Sequence, residues 1–233
     1  ERPWTQEHLG KLNAECQEYE NHILDIGKRL RYVYQTEKRG FGHAVYQAAE
    51  FAGSEPVLLL LGDTLYRSTT NKPCALQLIE AYERYNRLIL GLYPVPVSTV
   101  SHFGIMSGVW EDKDERIMHV HAFVEKPKAS YAEEFLGVKN KQGDKEYCSV
   151  FGQYILTPEV FAQLEADIAA ADAEGDMTKE IGLTEALEAV RKRSGMIGFR
   201  LKGLRYDMGN QGALINTITE FSQKTIEDNG KKA

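Results

Sequence analysis

Asp63 closes the run Val57-Leu58-Leu59-Leu60-Leu61-Gly62-Asp63. An unbroken series of valine and leucine predicts a short strand buried on both faces, as in a sheet with helices on each side. In such sheets ligands bind beyond the carboxyl ends of the strands, and a carboxylate there can hold a hard cation such as Mg²⁺. Taken alone, Gly62-Asp63 reads first as a turn after a core strand. Tyr206-Asp207-Met208-Gly209 repeats the arrangement far downstream: a strand-end aspartate followed by glycine. Gly40-Phe41-Gly42 runs into a helix and could bring backbone N–H groups to an anion or a flat ring, although Gly-x-Gly by itself fits a tight turn better. His119 and His121 share one face of a predicted strand. Two histidines at that spacing can ligate a metal, but no third ligand is near, and a half-exposed strand face is favoured. By the same standard Glu125-Lys126-Pro127 is a solvated strand end and Gly152 a bulge.

The elements that must position these residues follow from periodicity. Leu9, Leu12, Cys16, Tyr19, Ile23 and Ile26 predict an amphipathic helix with Thr5 as its N-cap. Residues 31–35, rich in aromatic and β-branched side chains, predict a strand. A helix follows Gly42 through Val45, Ala48, Ala49 and Phe51, then the strand ending at Asp63, then a polar loop over 64–73. Leu76, Ile79, Tyr82 and Tyr85 mark a helix, and residues 88–93 a buried strand stopped by Pro94 and Pro96. Strands are expected after Phe103, over 117–125, 149–156 and 196–201. Helices are expected from Pro158, over 181–190, and over 211–226. Residues 139–145 read as a flexible insert. Strands alternating with helices predict a layered α/β sheet.

Composition narrows the classes. The 233 residues hold 42% hydrophobic side chains, enough for one sizeable domain with its own core. A formal net charge of -6 argues against a general nucleic-acid surface. No apolar run is long enough to span a bilayer and no signal peptide opens the chain. Cys16, Cys74 and Cys148 are an odd, scattered set, expected as reduced thiols in a cytoplasmic protein.

The motifs taken together resemble the sugar-1-phosphate nucleotidyltransferases, and most closely the bacterial UTP–glucose-1-phosphate uridylyltransferases. The matching segments occur in family order: Gln35 with Arg39-Gly40-Phe41-Gly42-His43-Ala44; Glu55-Pro56 leading to Leu61-Gly62-Asp63; Phe103-Gly104-Ile105; Val124-Glu125-Lys126-Pro127; Gly152-Gln153-Tyr154; Glu180-Ile181 with Leu183-Thr184-Glu185-Ala186; and Tyr206-Asp207-Met208-Gly209. The resemblance implies a Rossmann-like mixed, mainly parallel sheet with helices on both faces, the nucleotide-diphospho-sugar transferase fold. It implies attack of glucose-1-phosphate on the α-phosphorus of UTP, releasing pyrophosphate and forming UDP-glucose. Asp63 and Asp207 would hold Mg²⁺, Lys126 would neutralise the sugar phosphate, and Glu125 would accept hydrogen bonds from sugar hydroxyls. Gly104 and Gly152 would lie against the sugar, Gln35 would read the base edge, and Gly40 and Gly42 would admit the nucleotide. Lys202 is a further candidate for the phosphates. Family members often associate through the later chain, so self-association is expected among the partners, with neither nucleic acid nor membrane.

The family's glycine-rich, Arg-containing loop after a first strand has no counterpart before Gln35. The chain is therefore expected to be a single domain over 1–233, incomplete at the N-terminus, with N-terminal strands missing. Gly182 and Lys179 also depart from the family pattern. Two alternatives stand beside the enzyme: a non-catalytic module of the same fold that binds or dimerises, and an enzyme for another nucleotide and sugar-1-phosphate pair. A Rossmann dinucleotide site is discounted, because Gly40-x-Gly42 lacks the third glycine and the ribose-binding acid.

Overall fold

The structure is a computed structural model that describes residues 9–111, 114–209 and 211–230. It divides into two compact units, residues 1–36 and 37–233.

The long helix among the described residues of the first unit is α1 (Ala14–Arg29). The expected cap, Thr5, lies outside the described residues. The described cap is Asn13, whose Oδ1 accepts the Cys16 N–H at 2.8 Å. Residues 31–35, expected as a strand, lie in neither strand nor helix. Aromatic and β-branched residues favour a pleated surface only where another strand offers one.

The second unit is built on a sheet ordered β1 (Val57–Leu60), β7 (Lys145–Leu156), β3 (Ile89–Val95), β8 (Ile197–Arg200), β5 (Asp114–Glu125) and β4 (Gly104–Glu111), with β6 (Val138–Lys139) also on β7. Helices α2 (Phe41–Tyr46), α4 (Pro158–Ala173) and α5 (Leu183–Ser194) cover one face, and α3 (Cys74–Tyr85) covers the other. Alternation along β3 and β7 supplies both layers. Leu90, Leu92, Cys148, Tyr154 and Leu156 pack with α4 and α5, while Ile89, Phe151 and Ile155 pack with α3.

The sheet is mixed with helices on both faces, as expected, but its parallel content is smaller than "mainly parallel". β1, β3, β4 and β8 run one way; β5 and β7 run the other and interleave with them, so β3–β8 is the parallel pair among those described. A second sheet has only two strands, β2 (Thr64–Ser68) and β9 (Gly203–Asp207), paired antiparallel with Thr64 opposite Asp207. Residues 64–68, expected as part of a polar loop over 64–73, are therefore a strand. The last helix is α6 (Gln211–Gly230). The expected flexible insert is a hairpin turn between β6 and β7, closed by Asn140 Oδ1 accepting the Asp144 N–H at 2.9 Å. Among the described residues, no helix is long and apolar enough to cross a membrane.

The cysteines divide by burial. Cys16 is exposed and Cys74 and Cys148 are buried. Burial pushes the Cys148 thiol up to about 12, with Glu146 adding to the effect, and also raises Cys74. A disulfide reagent at pH 8 should therefore label one thiol in the folded protein and the other two only on unfolding, since the thiolate is the reactive form. Rapid labelling of all three without denaturant would contradict this packing.

Candidate active site

A cavity of about 520 Å³ opens where β1 and β5 end and β4 begins. Its position follows from how β7 is used. Along one edge, β7 pairs with β1 through Gln153 and with β4 from Ser149. Between these two ladders lie Val150, Phe151 and Gly152. On the other edge the register with β3 also shifts there: Leu90 faces Tyr154 and Leu92 faces Val150. Three residues of β7 thus oppose Gly91 alone, a bulge centred on Gly152. Gly152 takes φ +94°, a left-handed conformation that suits glycine.

The two-stranded ribbon fills this break. Tyr66 Oη donates to the Gly152 carbonyl at 2.6 Å, and Leu61 N–H donates to the same oxygen at 3.2 Å. Arg205 Nη1 donates to the Val150 carbonyl. Burial raises the Tyr66 hydroxyl pKa and lowers that of Arg205.

The ribbon also brings the two aspartates together. Asp63 precedes β2 and Asp207 ends β9. Met208 N–H donates to the Asp63 carbonyl at 2.8 Å, and Gly209 N–H to Asp207 Oδ1 at 2.7 Å. A Cβ placed on Gly209 would lie 3.1 Å from Asp63 Oδ2 and 3.2 Å from Asp207 Oδ1, so both carboxylates face one small space. Both line the cavity. Thr217 Oγ1 on α6 donates to the Asp207 carbonyl at 2.6 Å and fixes the strand end. Among the described residues there is no group of three or more His, Cys, Asp and Glu side chains suited to a metal. Two converging carboxylates suit a hard, oxygen-liganded cation that keeps waters and takes phosphate oxygens as further ligands.

Across the cavity stand Gly104 and Glu125, opposite each other in the β4–β5 register, and Lys126. Glu125 Oε2 accepts from Thr184 Oγ1 at the start of α5 at 3.0 Å. A Cβ on Gly104 would meet the Phe123 ring at 2.6 Å and Glu125 Oε2 at 3.0 Å, so any larger residue would have to push these side chains aside. Lys126 is a non-glycine residue at φ +45°, and its N–H donates to the Phe103 carbonyl at 3.1 Å. Such a conformation persists only where the surroundings hold it, and it re-aims the side chain at the end of β5. Lys126 Nζ lies 3.8 Å from Glu125 Oε1.

The cavity thus gathers Asp63, Asp207, Gly104, Glu125, Lys126 and Gly152. Lys202 is not among its lining residues. It sits before the opposite end of β9, where its backbone N–H donates to Gln77 Oε1 at 3.0 Å. Five steps of extended chain separate it from Asp207, about 16 Å at strand rise. Gly40 and Gly42 do not line the cavity either, although Phe41 between them does. Gly40, at φ +92°, and Gly42 lie against the 180–182 backbone: a Cβ on either would sit 2.8 Å from the Ile181 carbonyl oxygen. Gln35 belongs to the N-terminal unit and is not a lining residue. His119 and His121 are exposed on one strand face, with His119 Nε2 3.7 Å from Glu111. Arg205 and Tyr66 are residues of the site that no sequence motif singles out, and Thr184 stands in a family-like segment with no role expected of it. Arg205 stands two positions before Asp207, the spacing that puts two residues on one face of a strand.

Residues 5–224 match the family described as nucleotidyl transferase. The chain belongs to that family. It is 34% identical over 198 residues to a UTP–glucose-1-phosphate uridylyltransferase of Streptococcus pneumoniae, covering 84% of this chain and 60% of the relative. To the protein of the same name from Staphylococcus epidermidis it is 33% identical over 221 residues, covering 95% of this chain and 68% of the relative. The chain thus spans roughly three fifths to two thirds of the length of these relatives. Among solved structures it resembles a UDP-glucose pyrophosphorylase complexed with UDP-glucose, with TM-score 0.71, 26% identity, and coverage of 92% of this chain and 74% of that one. An apo UDP-glucose pyrophosphorylase gives TM-score 0.75 at 26% identity, covering 97% and 76%. The nucleotidyltransferase kinship and the fold expected from the motifs are both borne out.

The bulge offers a test that needs no ligand. Gly152→Ala forces alanine into the left-handed region and sets a methyl 2.6 Å from Tyr66 Oη. A loss of about 1–3 kcal/mol in urea unfolding is expected. An unchanged midpoint would mean the ribbon is not seated on Gly152.

Proposed function

We propose that this protein transfers a uridylyl group from UTP to glucose-1-phosphate, releasing pyrophosphate and forming UDP-glucose. The observation that carries the reading is the convergence of Asp63 and Asp207 in one cavity with Glu125 and Lys126. The names of the relatives support the choice of substrates, and the family match supports the reaction class.

In this reading an oxygen of the sugar phosphate attacks the α-phosphorus of UTP, and the bond from that phosphorus to the β-phosphate bridging oxygen breaks. Such transfers depend on positioning and on neutralising charge. Lys126 supplies a cation for the sugar phosphate, aimed by its left-handed backbone and by the bond to Phe103. Glu125, oriented by Thr184, accepts from sugar hydroxyls, and the bare backbone at Gly104 leaves room for the ring. Phe41 and Tyr154 give the cavity apolar walls. Asp63 and Asp207 would hold Mg²⁺, which when bound offsets charge on the phosphates. Their fixed backbone, through Met208, Gly209 and Thr217, means little reorganisation is needed on loading.

The test is pyrophosphate release from UTP and glucose-1-phosphate by the intact protein. Asp63→Ala and Asp207→Ala should each lower kcat/KM by about 10³-fold or more, with folding intact by circular dichroism. Wild-type rates in either variant would refute the metal assignment. Saturable UTP binding without turnover by the wild type would favour the non-catalytic module.

A further inference from the structure

The two halves of the site stand on different sheets. Asp63 and Asp207 belong to the two-stranded ribbon, while Gly104, Glu125 and Lys126 belong to the main sheet. No strand ladder joins the ribbon to the main sheet among the described residues. Their separation is set by the short chain links from β1 and β8, by the Leu61 N–H bond to the Gly152 carbonyl, and by side chains that cross the break in β7.

Arg205 crosses it furthest. It lies opposite Tyr66 in the ribbon and two residues before Asp207. Its Nη1 donates to the Val150 carbonyl. Its guanidinium carbon lies 4.3 Å from the centre of the Phe103 ring and 5.4 Å from that of Tyr93. Phe103 immediately precedes Gly104, and the Phe103 carbonyl accepts the Lys126 N–H. A chain of contacts thus runs from the Asp207 strand through Arg205 and Phe103 to the backbone of Lys126. Arginine suits the task, because its flat fork can hold a carbonyl at its edge while aromatic rings cover its faces.

We propose that Arg205 is a positioning residue that sets the distance between the paired aspartates and the Gly104–Lys126 wall. The inference rests on the uridylyltransfer reading. Arg205 lines the cavity, but its Nη1 is engaged by a backbone carbonyl and its guanidinium lies against two rings, a setting that fits a fixed strut between the two walls better than a mobile ligand of the phosphates. In-line transfer is sensitive to such spacing, and a misplacement near 1 Å can cost about 10²-fold.

The experiment compares Arg205→Lys, Arg205→Met, Phe103→Leu and the Arg205→Met/Phe103→Leu double variant in steady-state assays with UTP, glucose-1-phosphate and Mg²⁺. For Arg205→Met, kcat should fall about 10²-fold while both KM values stay within about threefold of wild type. Arg205→Lys should recover little, because an ammonium cannot fork and stack. Phe103→Leu should lower kcat as well, and the double variant should be no slower than Arg205→Met alone, as expected for two members of one contact chain. Urea unfolding of each variant corrects rates to the folded fraction.

Three results would overturn the proposal. One is a rise of tenfold or more in either KM with kcat retained, which would make Arg205 a phosphate ligand. A second is kcat per folded molecule unchanged despite lost stability, which would make it structural only. The third is additive effects of Arg205→Met and Phe103→Leu. Wild-type protein without turnover would instead refute the underlying reading, and the proposal with it.

Discussion

Two backbone carbonyls, those of Val150 and Gly152, sit where the ladder along β7 is broken. A carbonyl inside a sheet that loses its ladder partner must find another donor or stay wet. Here Arg205 donates to Val150, and Tyr66 joins the Leu61 N–H in donating to Gly152. The ribbon that carries Arg205 and Tyr66 is therefore held against the main sheet through the carbonyls at the break. The cavity, the paired aspartates and the proximity of Lys126 all follow from that docking. A continuous β7 ladder would leave neither an opening nor a place for the ribbon.

The charge arrangement is built on the same joint. The ribbon presents carboxylates, and the facing wall presents Lys126 beside Glu125. Arg205 lies between them in a desolvated setting, as its lowered pKa reflects. The ion pair of Glu125 and Lys126 is exposed and long, so it adds little to stability. It leaves a carboxylate and an ammonium side by side at the cavity. Substituting Gly104 would crowd the Phe123 ring and the Glu125 carboxylate, so the space beside Glu125 depends on the bare backbone there.

Much of this was legible in the residues. The apolar run before Asp63 and the strand-end position of Asp207 were both readable, as was the match of ordered short motifs to a family. The convergence of the aspartates followed only from that resemblance, because antiparallel pairing of Thr64 with Asp207 spans most of the chain and leaves no local trace. Thr64-Leu65-Tyr66-Arg67-Ser68 reads like loop because Thr64, Arg67 and Ser68 are polar and none of the five residues is fully buried. Lys202 lies outside this cavity for a related reason: five residues are a short step in sequence and a long one along a strand. Gly40 and Gly42 announced a close approach, but the sequence could not say that the approaching group was the 180–182 backbone and not a ligand. Gly152 was open to two readings, bulge or sugar contact. It is a bulge, and it also lines the cavity.

The central claim is that Asp63 and Asp207 share one divalent ion because the ribbon holds them together. The most direct measurement is water-proton relaxation enhancement during Mn²⁺ titration of the protein in the presence of UTP, for wild type, Asp63→Asn and Asp207→Asn. One enhanced site in the wild type, weakened at least about tenfold in each variant, is the expected result, since loss of ligand-supporting groups alone costs that much. Undiminished enhancement in both variants would contradict the account.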